Sequence, residues 1–204
     1  MVDRRQHWET VYGNKTADRV SWFQQHAASS LRLIKGCAGT DAHIIDVGGG
    51  ASVLVDNLLD AGYRNLTVLD LAESALAASR ARLGERASMV QWIAADITRA
   101  ELPAACYDVW HDRAVFHFLT DPADRARYVA QVLKSVKPGG HVIVAAFGPG
   151  GPLQCSGLDV MRYAPDALHA EFGAPFRLLG HQTETHRTPA GQEQEFVYCY
   201  CVRT

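Results

Sequence analysis

The fold of this chain is decided by the stretch His43-Ile44-Ile45-Asp46-Val47-Gly48-Gly49-Gly50-Ala51-Ser52. An apolar run ends in an acid, three glycines follow, and an amphipathic segment with Val53, Leu54, Leu58 and Leu59 comes next. This order predicts a buried strand, a tight turn and a helix. Glycines let a backbone turn sharply against a ligand, and a helix start offers unpaired N–H groups. The stretch therefore predicts a nucleotide-type cofactor site at the end of a parallel strand.

Composition limits the class of protein. The chain has 204 residues, 48% of them hydrophobic and 21% charged, which predicts one soluble globular domain. The formal net charge is −2 and no long basic run occurs, so we expect no nucleic-acid partner. We see no signal-peptide core and no apolar run of the ~20 residues that span a bilayer, so we expect a cytoplasmic protein without a membrane partner. The five cysteines show no CxxC spacing, so neither a disulfide framework nor a metal site is expected.

Strand and helix patterns alternate along the middle of the chain. Strands are predicted at 43–47, 66–70, 90–94, 107–111, 140–147, 175–186 and 192–203. Helices are predicted at 3–12, 27–36, 51–61, 73–83, 123–136 and 165–172, with a short turn near 97–102. The last two strands flank Pro189-Ala190-Gly191 and predict a hairpin. The fold class is therefore α/β: a doubly wound, mostly parallel seven-stranded sheet that ends in an antiparallel hairpin, with helices on both faces.

Three acids stand at successive strand ends and indicate which cofactor binds. Asp46 ends the first strand, Asp70 ends the second, and Asp96 follows the third. In a doubly wound sheet the ligand lies across these strand ends, so Asp70 can accept both hydroxyls of a ribose and Asp96 can accept from an adenine amine. Asp46 can orient the turn or face a ligand ammonium. A dinucleotide site is expected to show G-x-G-x-x-G, but Val53 stands at the third glycine position, so an NAD-dependent oxidoreductase is only an alternative.

With these motifs the chain resembles, over residues 40 to 204, the class I S-adenosylmethionine (SAM) dependent methyltransferases. The resemblance implies a Rossmann-like sheet, SAM as cofactor and S-adenosylhomocysteine as product. It implies that Asp70 binds the ribose, that Leu71 packs on the adenine, and that Asp96 and Ile97 bind the adenine edge and face. The remaining cofactor residues that it implies are Asp46, Gly48, Gly49, Gly50, Ser52 and His111. Ser52 stands where the family usually has a further glycine.

A second motif, Trp110-His111-Asp112-Arg113-Ala114-Val115-Phe116-His117-Phe118-Leu119, resembles a bacterial subgroup of these enzymes without an assigned substrate. Residues 7–12 and 20–24 are similar to the N-terminal cap of that subgroup. They are also similar to the lysine-methylating enzymes of the seven-strand class. Those enzymes carry Asp-Lys-Gly-Thr where this chain has residues 112–115, a departure that argues against lysine as the acceptor.

His111, Asp112 and His117 are the candidate catalytic residues, because each follows or ends the fourth strand on the expected ligand side. Any of them can take a proton from the acceptor or hold it in line with the methyl group. The alternative for His117, which lies between Phe116 and Phe118, is a structural histidine.

Five further residues are candidates for substrate contacts. Trp8, Trp22 and Phe23 can form an aromatic lid over the site, or can simply pack an N-terminal helix. Arg113 can hold a substrate carboxylate or form a structural ion pair. Cys155, in a loop rich in glycine and proline, can bind a soft metalloid or serve as a small buried hydrophobe.

The function expected from the sequence is SN2 transfer of the sulfonium methyl group to a small-molecule nucleophile. Protein lysine methylation is the alternative within the enzyme class, and a SAM-binding or nucleotide-binding module without turnover is the alternative outside it. We expect a single domain, 1–204, with a helical cap at 1–40 and a core at 41–204, acting as a monomer or homodimer.

Overall fold

The computed structural model describes residues 3–14 and 17–204, so residues 1–2 and 15–16 of the expected cap lie outside the described residues. Its helices are α1 (Arg4–Asn14), α2 (Ala28–Cys37), α3 (Leu54–Asp60), α4 (Glu73–Leu83), α5 (Pro122–Ser135) and α6 (Pro165–Ala170). Its strands are β1 (His43–Val47), β2 (Asn65–Asp70), β3 (Val90–Ala94), β4 (Tyr107–Arg113), β5 (Val136–Phe147), β6 (Gln154–Cys155), β7 (Leu158–Asp159), β8 (Phe176–Arg187) and β9 (Glu193–Arg203). No helix in these two ranges is long and apolar enough to cross a membrane.

Seven strands form one sheet in the order β3-β2-β1-β4-β5-β9-β8. The first five are parallel to their neighbours, whereas β9 runs antiparallel to both β5 and β8. This confirms the predicted doubly wound sheet with a C-terminal hairpin. β6 and β7 form a separate two-stranded hairpin that the sequence did not predict.

The sheet separates two apolar cores, because alternate residues of each strand point to opposite faces. Ile45 and Trp110 belong to the core that contains Tyr128 of α5. Ile44 and Val109 belong to the other core, which contains residues of α2, α3 and α4. Helices therefore cover both faces, and each residue of β1 or β4 has a definite side.

Several predicted boundaries shift for identifiable reasons. The helix predicted from 51 begins at Leu54, because the turn after β1 extends further than expected. The strand predicted from 140 begins at Val136, which already pairs with Tyr107 before the register breaks. As a result the helix predicted to end at 136 ends at Ser135. β4 continues two residues beyond the predicted 111, to Arg113, and this changes the setting of the predicted catalytic residues.

Candidate cofactor and acceptor site

The turn after β1 requires glycine at successive positions. Gly48 has φ +71°, a conformation that side chains rarely adopt. A Cβ atom on Gly49 would lie 2.7 Å from Asp46 Cγ, and one on Gly50 would lie 2.8 Å from Asp70 Cγ. Glycine is therefore required here because two buried carboxylates approach the backbone closely.

Ser52 lies two residues before the start of α3. Its hydroxyl oxygen accepts a hydrogen bond from the N–H of Leu54 at 3.1 Å. The small polar residue at this position thus supplies an acceptor that a glycine would lack.

Asp70 lies buried at the end of β2, and each of its carboxylate oxygens accepts one backbone N–H. Oδ2 accepts from Gly50 at 3.0 Å and Oδ1 accepts from Ala72 at 2.9 Å. Burial raises the pKa of Asp70 to about 6, although these hydrogen bonds favour its charged form. Each oxygen keeps a second lone pair, so the carboxylate can also accept from two hydroxyl groups of a ligand.

Asp96 and Ile97 follow β3 on the same side of the sheet. Asp96 Oδ1 accepts from both the N–H and the hydroxyl of Thr98, at 2.9 and 2.8 Å. This arrangement fixes the carboxyl group beside the buried Ile97. Both residues line a cleft that also contains Asp70 and Leu71.

Asp46 and His111 occupy paired positions of β1 and β4. Asp46 Oδ1 lies 2.7 Å from His111 Nδ1, and His111 Nε2 lies 2.8 Å from Ser30 Oγ, with all three side chains buried. In the neutral imidazole, Nδ1–H donates to the carboxylate and Nε2 accepts from the Ser30 hydroxyl. Asp46 Oδ2 is also buried and has no hydrogen-bond partner among the described residues.

The side chain of Arg113 contacts four other residues. Its Nε donates to Tyr198 Oη at 3.1 Å, and its Nη1 donates to the carbonyl of Trp22 at 3.2 Å. Its Nη2 forms an ion pair with Glu184 Oε1 at 3.2 Å, and its guanidinium lies 4.2 Å from the centre of the Phe196 ring. This nearly buried cation is therefore neutralised by an acid on β8.

Two cavities meet beside the glycine turn, and Trp22, Gly48 and Arg113 line both of them. The first cavity is lined by Asp70, Leu71, Asp96, Ile97, Arg4, Trp8, Tyr12, Phe118 and Cys155, among others. The second is lined by Asp46, Gly49, Ser52, His111, Ser30, Gln24 and Phe23, among others. Every predicted cofactor residue except Gly50 therefore lines one of these two adjoining cavities.

The aromatic residues of the N-terminal segment close the first cavity. The Trp8 ring lies 5.6 Å from that of Trp22 and 5.0 Å from that of Phe118, edge to face in both cases. Tyr12 lies 6.1 Å from Trp22. The Cys155 thiol is buried on the same wall, 3.9 Å from the Ser21 hydroxyl. Phe23 lines the second cavity instead of the first.

Asp112 lies elsewhere, on the opposite face of β4 from His111. Its carboxylate accepts from the N–H groups of Val115 and Phe116, at 2.8 and 3.1 Å, and from Tyr128 Oη at 2.6 Å. Burial raises its pKa to about 6. The side chain is fully buried and lines neither cavity, so it fixes the turn after β4.

His117 also lies away from both cavities. Its Nδ1 accepts from the N–H of Phe147 at 3.3 Å, and its ring lies 4.5 Å from those of Phe118 and Phe147. Burial lowers its pKa to about 3, so the imidazole is neutral at physiological pH. Of the three predicted catalytic residues, the structure places only His111 on a cavity wall.

Sequence reasoning did not identify Ser30 or Tyr198 as part of this site. Ser30 lies one helical turn before the buried Ile34, so the available signal was a serine on the apolar face of α2. Tyr198 lies on β9, about 85 residues from Arg113, and no local pattern connects the two.

Part of this chain matches a known family and several known proteins in sequence. Residues 45–144 match a family model described as a methyltransferase domain. Nodulation protein S of Rhizobium tropici is 25% identical over 133 residues, which are 65% of this chain and 53% of that protein. The eEF1A lysine and N-terminal methyltransferase of Danio rerio is 24% identical over 140 residues, which are 67% of this chain and 20% of that protein. The chain thus spans about half of the first relative and a fifth of the second.

A solved structure shares the fold. It is the Burkholderia thailandensis 1,6-didemethyltoxoflavin-N1-methyltransferase with bound 1,6-didemethyltoxoflavin and S-adenosylhomocysteine. The TM-score is 0.68 at 19% identity, and the match covers 98% of this chain and 84% of that one. The family match agrees with the glycine turn, with the acids at the strand ends and with the order of the strands in the sheet. This chain therefore carries a methyltransferase domain of the class I type, whose cofactor is S-adenosylmethionine.

Proposed function

We propose that this protein transfers a methyl group from SAM to a small-molecule acceptor. In this proposal residues 1–40 form the cap of a single domain, and the two adjoining cavities hold the cofactor and the acceptor together. SAM supplies an electrophilic methyl group on a sulfonium, so the chain itself must bind, orient and exclude water.

The observation that carries the proposal is the unpaired oxygen of Asp46. A buried carboxylate oxygen without a hydrogen-bond partner is costly, and a ligand ammonium would satisfy it. Because His111 holds the other oxygen, the carboxylate cannot easily turn away. Arg113 lines the same cavity, and its Nη1 and Nη2 each carry a second N–H beyond those bonded to Trp22 and Glu184, so the wall offers an acceptor for the ammonium and donors for the carboxylate. This pairing suits the zwitterionic amino-acid end of SAM.

The nucleoside end of SAM fits the first cavity. Asp70 supplies lone pairs for the ribose hydroxyls, Leu71 and Ile97 supply apolar surface for the adenine, and Asp96 supplies an acceptor for its amine. Gly48, Gly49, Gly50 and Ser52 keep the backbone close to the ligand between these two ends.

The acceptor is assigned to the aromatic part of the first cavity. Trp8, Trp22 and Phe118 wall this region, Cys155 lies beside it, and Arg113 stands at the junction with the second cavity. We assign His111 to orienting Asp46 and the reacting groups. Asp112 and His117 support this arrangement from behind, since neither faces a cavity.

A small molecule is favoured because side chains of α1 cover the cavity. The Burkholderia neighbour is named for methylation of a small heterocycle, whereas the Danio rerio relative is named for methylation of a protein lysine and N-terminus. Protein methylation is therefore the competing outcome of the test. A cytoplasmic location and a monomeric or homodimeric state remain part of the proposal.

The first test compares two ligands by isothermal titration. S-adenosylhomocysteine carries the amino-acid end, whereas 5′-methylthioadenosine lacks it. Asp46→Asn is expected to weaken S-adenosylhomocysteine by about tenfold to a hundredfold, since hydrogen bonds to charged groups contribute ~1.5–3 kcal/mol, and to leave 5′-methylthioadenosine unchanged. Asp60→Asn, the same change in an exposed ion pair with Arg86, is the matched control.

Equal loss of both ligands in Asp46→Asn, or no binding of either ligand to the natural protein, would refute the assignment of the second cavity. Methyl-labelled SAM and a fractionated cell extract then identify the acceptor. Label in a small molecule supports the proposal, and label confined to protein replaces it with protein methylation. Binding without any transfer would indicate a SAM-binding module.

A further inference from the structure

Helix α1 lies across the first cavity and is attached by aromatic ring contacts and a small number of polar contacts. None of its residues is buried, although Arg4, Trp8 and Tyr12 line the cavity. Arg4 Nη1 forms an ion pair with Asp124 Oδ2 on α5 at 3.2 Å. Glu9 makes a further polar connection, to the start of α4.

The carboxylate of Glu9 caps α4 from outside that helix. Its Oε1 accepts the N–H of Glu73 at 2.7 Å, and its Oε2 accepts the N–H of Ser74 at 3.2 Å. The residue at the N-cap position, Ala72, has no side-chain acceptor, so α4 cannot supply this cap itself. A carboxylate is stabilising here because it satisfies unpaired N–H groups at the positive end of the helix.

The same helix start is also bonded to Asp70. Asp70 Oδ1 accepts the N–H of Ala72, and Glu9 accepts the next two N–H groups along the chain. Three consecutive N–H groups are therefore shared between an acid of β2 and an acid of α1. The position of α1 and the orientation of the Asp70 carboxylate therefore both depend on the backbone of residues 72–74.

We propose that Glu9 is a positioning residue for cofactor binding, which latches α1 over the cofactor by capping α4. This inference rests on the proposed function for the part that concerns the cofactor. When Glu9 releases the N–H groups, α1 can leave without exposing a buried core, and Trp8 and Tyr12 leave with it. The latch thus sets how long a bound cofactor is retained, and it keeps Asp70 ordered while α1 is closed.

The release rate of labelled S-adenosylhomocysteine, chased with unlabelled ligand, measures the latch. Glu9→Ala is expected to speed release by about fivefold to tenfold, in line with the cost of losing a helix cap. Glu9→Gln keeps one acceptor oxygen and is expected to fall between Glu9→Ala and the natural protein. Glu85→Gln is the matched control, because Glu85 is exposed and its side chain forms no hydrogen bond or ion pair with the described residues of α1. Loss of the cap is also expected to lower the unfolding midpoint of the cofactor-free protein, because a helix cap contributes ~0.5–2 kcal/mol to stability.

Limited trypsin digestion tests the latch without cofactor. Cleavage after Arg4 and Arg5 in the cofactor-free protein is expected to be faster in Glu9→Ala, because local opening exposes those bonds. If the natural protein binds no S-adenosylhomocysteine, the proposed function fails while this digestion still tests the latch. Unchanged release and unchanged digestion would overturn the inference. Faster release in Glu9→Ala without faster digestion after Arg4 and Arg5 would also overturn it, since Glu9 would then serve only stability.

Discussion

Substituting Gly50 by alanine tests the claim that the turn after β1 needs glycine because Asp70 approaches it. The added methyl carbon would lie 2.5 Å from Ala75 Cβ and 2.8 Å from Asp70 Cγ. Ala75 lies in α4 and Asp70 is buried, so neither can withdraw freely. Overpacking of this kind costs ~1–3 kcal/mol, and weakening the bond from the Gly50 N–H to Asp70 costs about 1 kcal/mol more. We expect a loss of about 2–4 kcal/mol in the free energy of unfolding.

Urea unfolding measures this loss, and titration with 5′-methylthioadenosine measures the accompanying loss of nucleoside binding. Gly36→Ala is the control, since its Cβ would meet no atom within 4 Å and it lies in α2. Alanine is a better helix former there, so that variant should gain ~0.5–1 kcal/mol. A Gly50→Ala protein with natural stability and natural affinity would refute the reasoning.

Three further outcomes follow from the buried acids and histidine. Asp112→Asn should lower the free energy of unfolding by about 2–4 kcal/mol in urea titrations, because an amide cannot accept all three hydrogen bonds. The folded fraction should still bind S-adenosylhomocysteine, and a loss of binding without a loss of stability would contradict a structural role. The pKa of Asp70 is about 6, and its ionised form accepts hydrogen bonds from the ribose hydroxyls. The affinity for 5′-methylthioadenosine, measured by titration calorimetry from pH ~8 to ~5, should therefore be constant above pH ~6 and fall below it, and a constant affinity over the whole range would contradict this role. His117 stays neutral down to a pKa of about 3, whereas the unfolded chain takes up a proton near 6.5, so acid destabilises the native state through this group. His117→Phe should therefore gain about 2 kcal/mol relative to the natural protein between pH ~7 and ~5, and a constant difference would show that the native histidine takes up the proton.

The glycine turn and the acids at the strand ends could be predicted because their signals are local. A strand, an acid and glycines in order identify one βα turn, and the alternation of elements places the next two acids at the same edge of the sheet. The hairpin at 175–186 and 192–203 was equally visible, since both strands are long and a proline and a glycine separate them. The edge of the cofactor site follows from these elements alone.

The position of Asp112 is a part of the site that the sequence did not determine. A strand ending at 111 would leave both His111 and Asp112 at the ligand edge. Because β4 continues to Arg113, the two residues are neighbours within a strand and point to opposite faces. His111 therefore meets Ser30 of α2, whereas Asp112 meets Tyr128 of α5. A difference of two residues in one strand boundary therefore moves the Asp112 side chain from the expected ligand edge into the core beside Tyr128.

The partners of Arg113 have a consequence for the order in which the molecule can be completed during synthesis. The arginine ends β4, but Glu184, Phe196 and Tyr198 all come from the last hairpin. A nascent chain that has emerged only as far as β5 holds the glycine turn and all three strand-end acids, yet its guanidinium has no counter-charge. Burying that cation alone is costly. The arginine can therefore settle between the two cavities only after the ribosome has delivered β8 and β9, so the last strands to be made complete a site whose sequence motifs were made first.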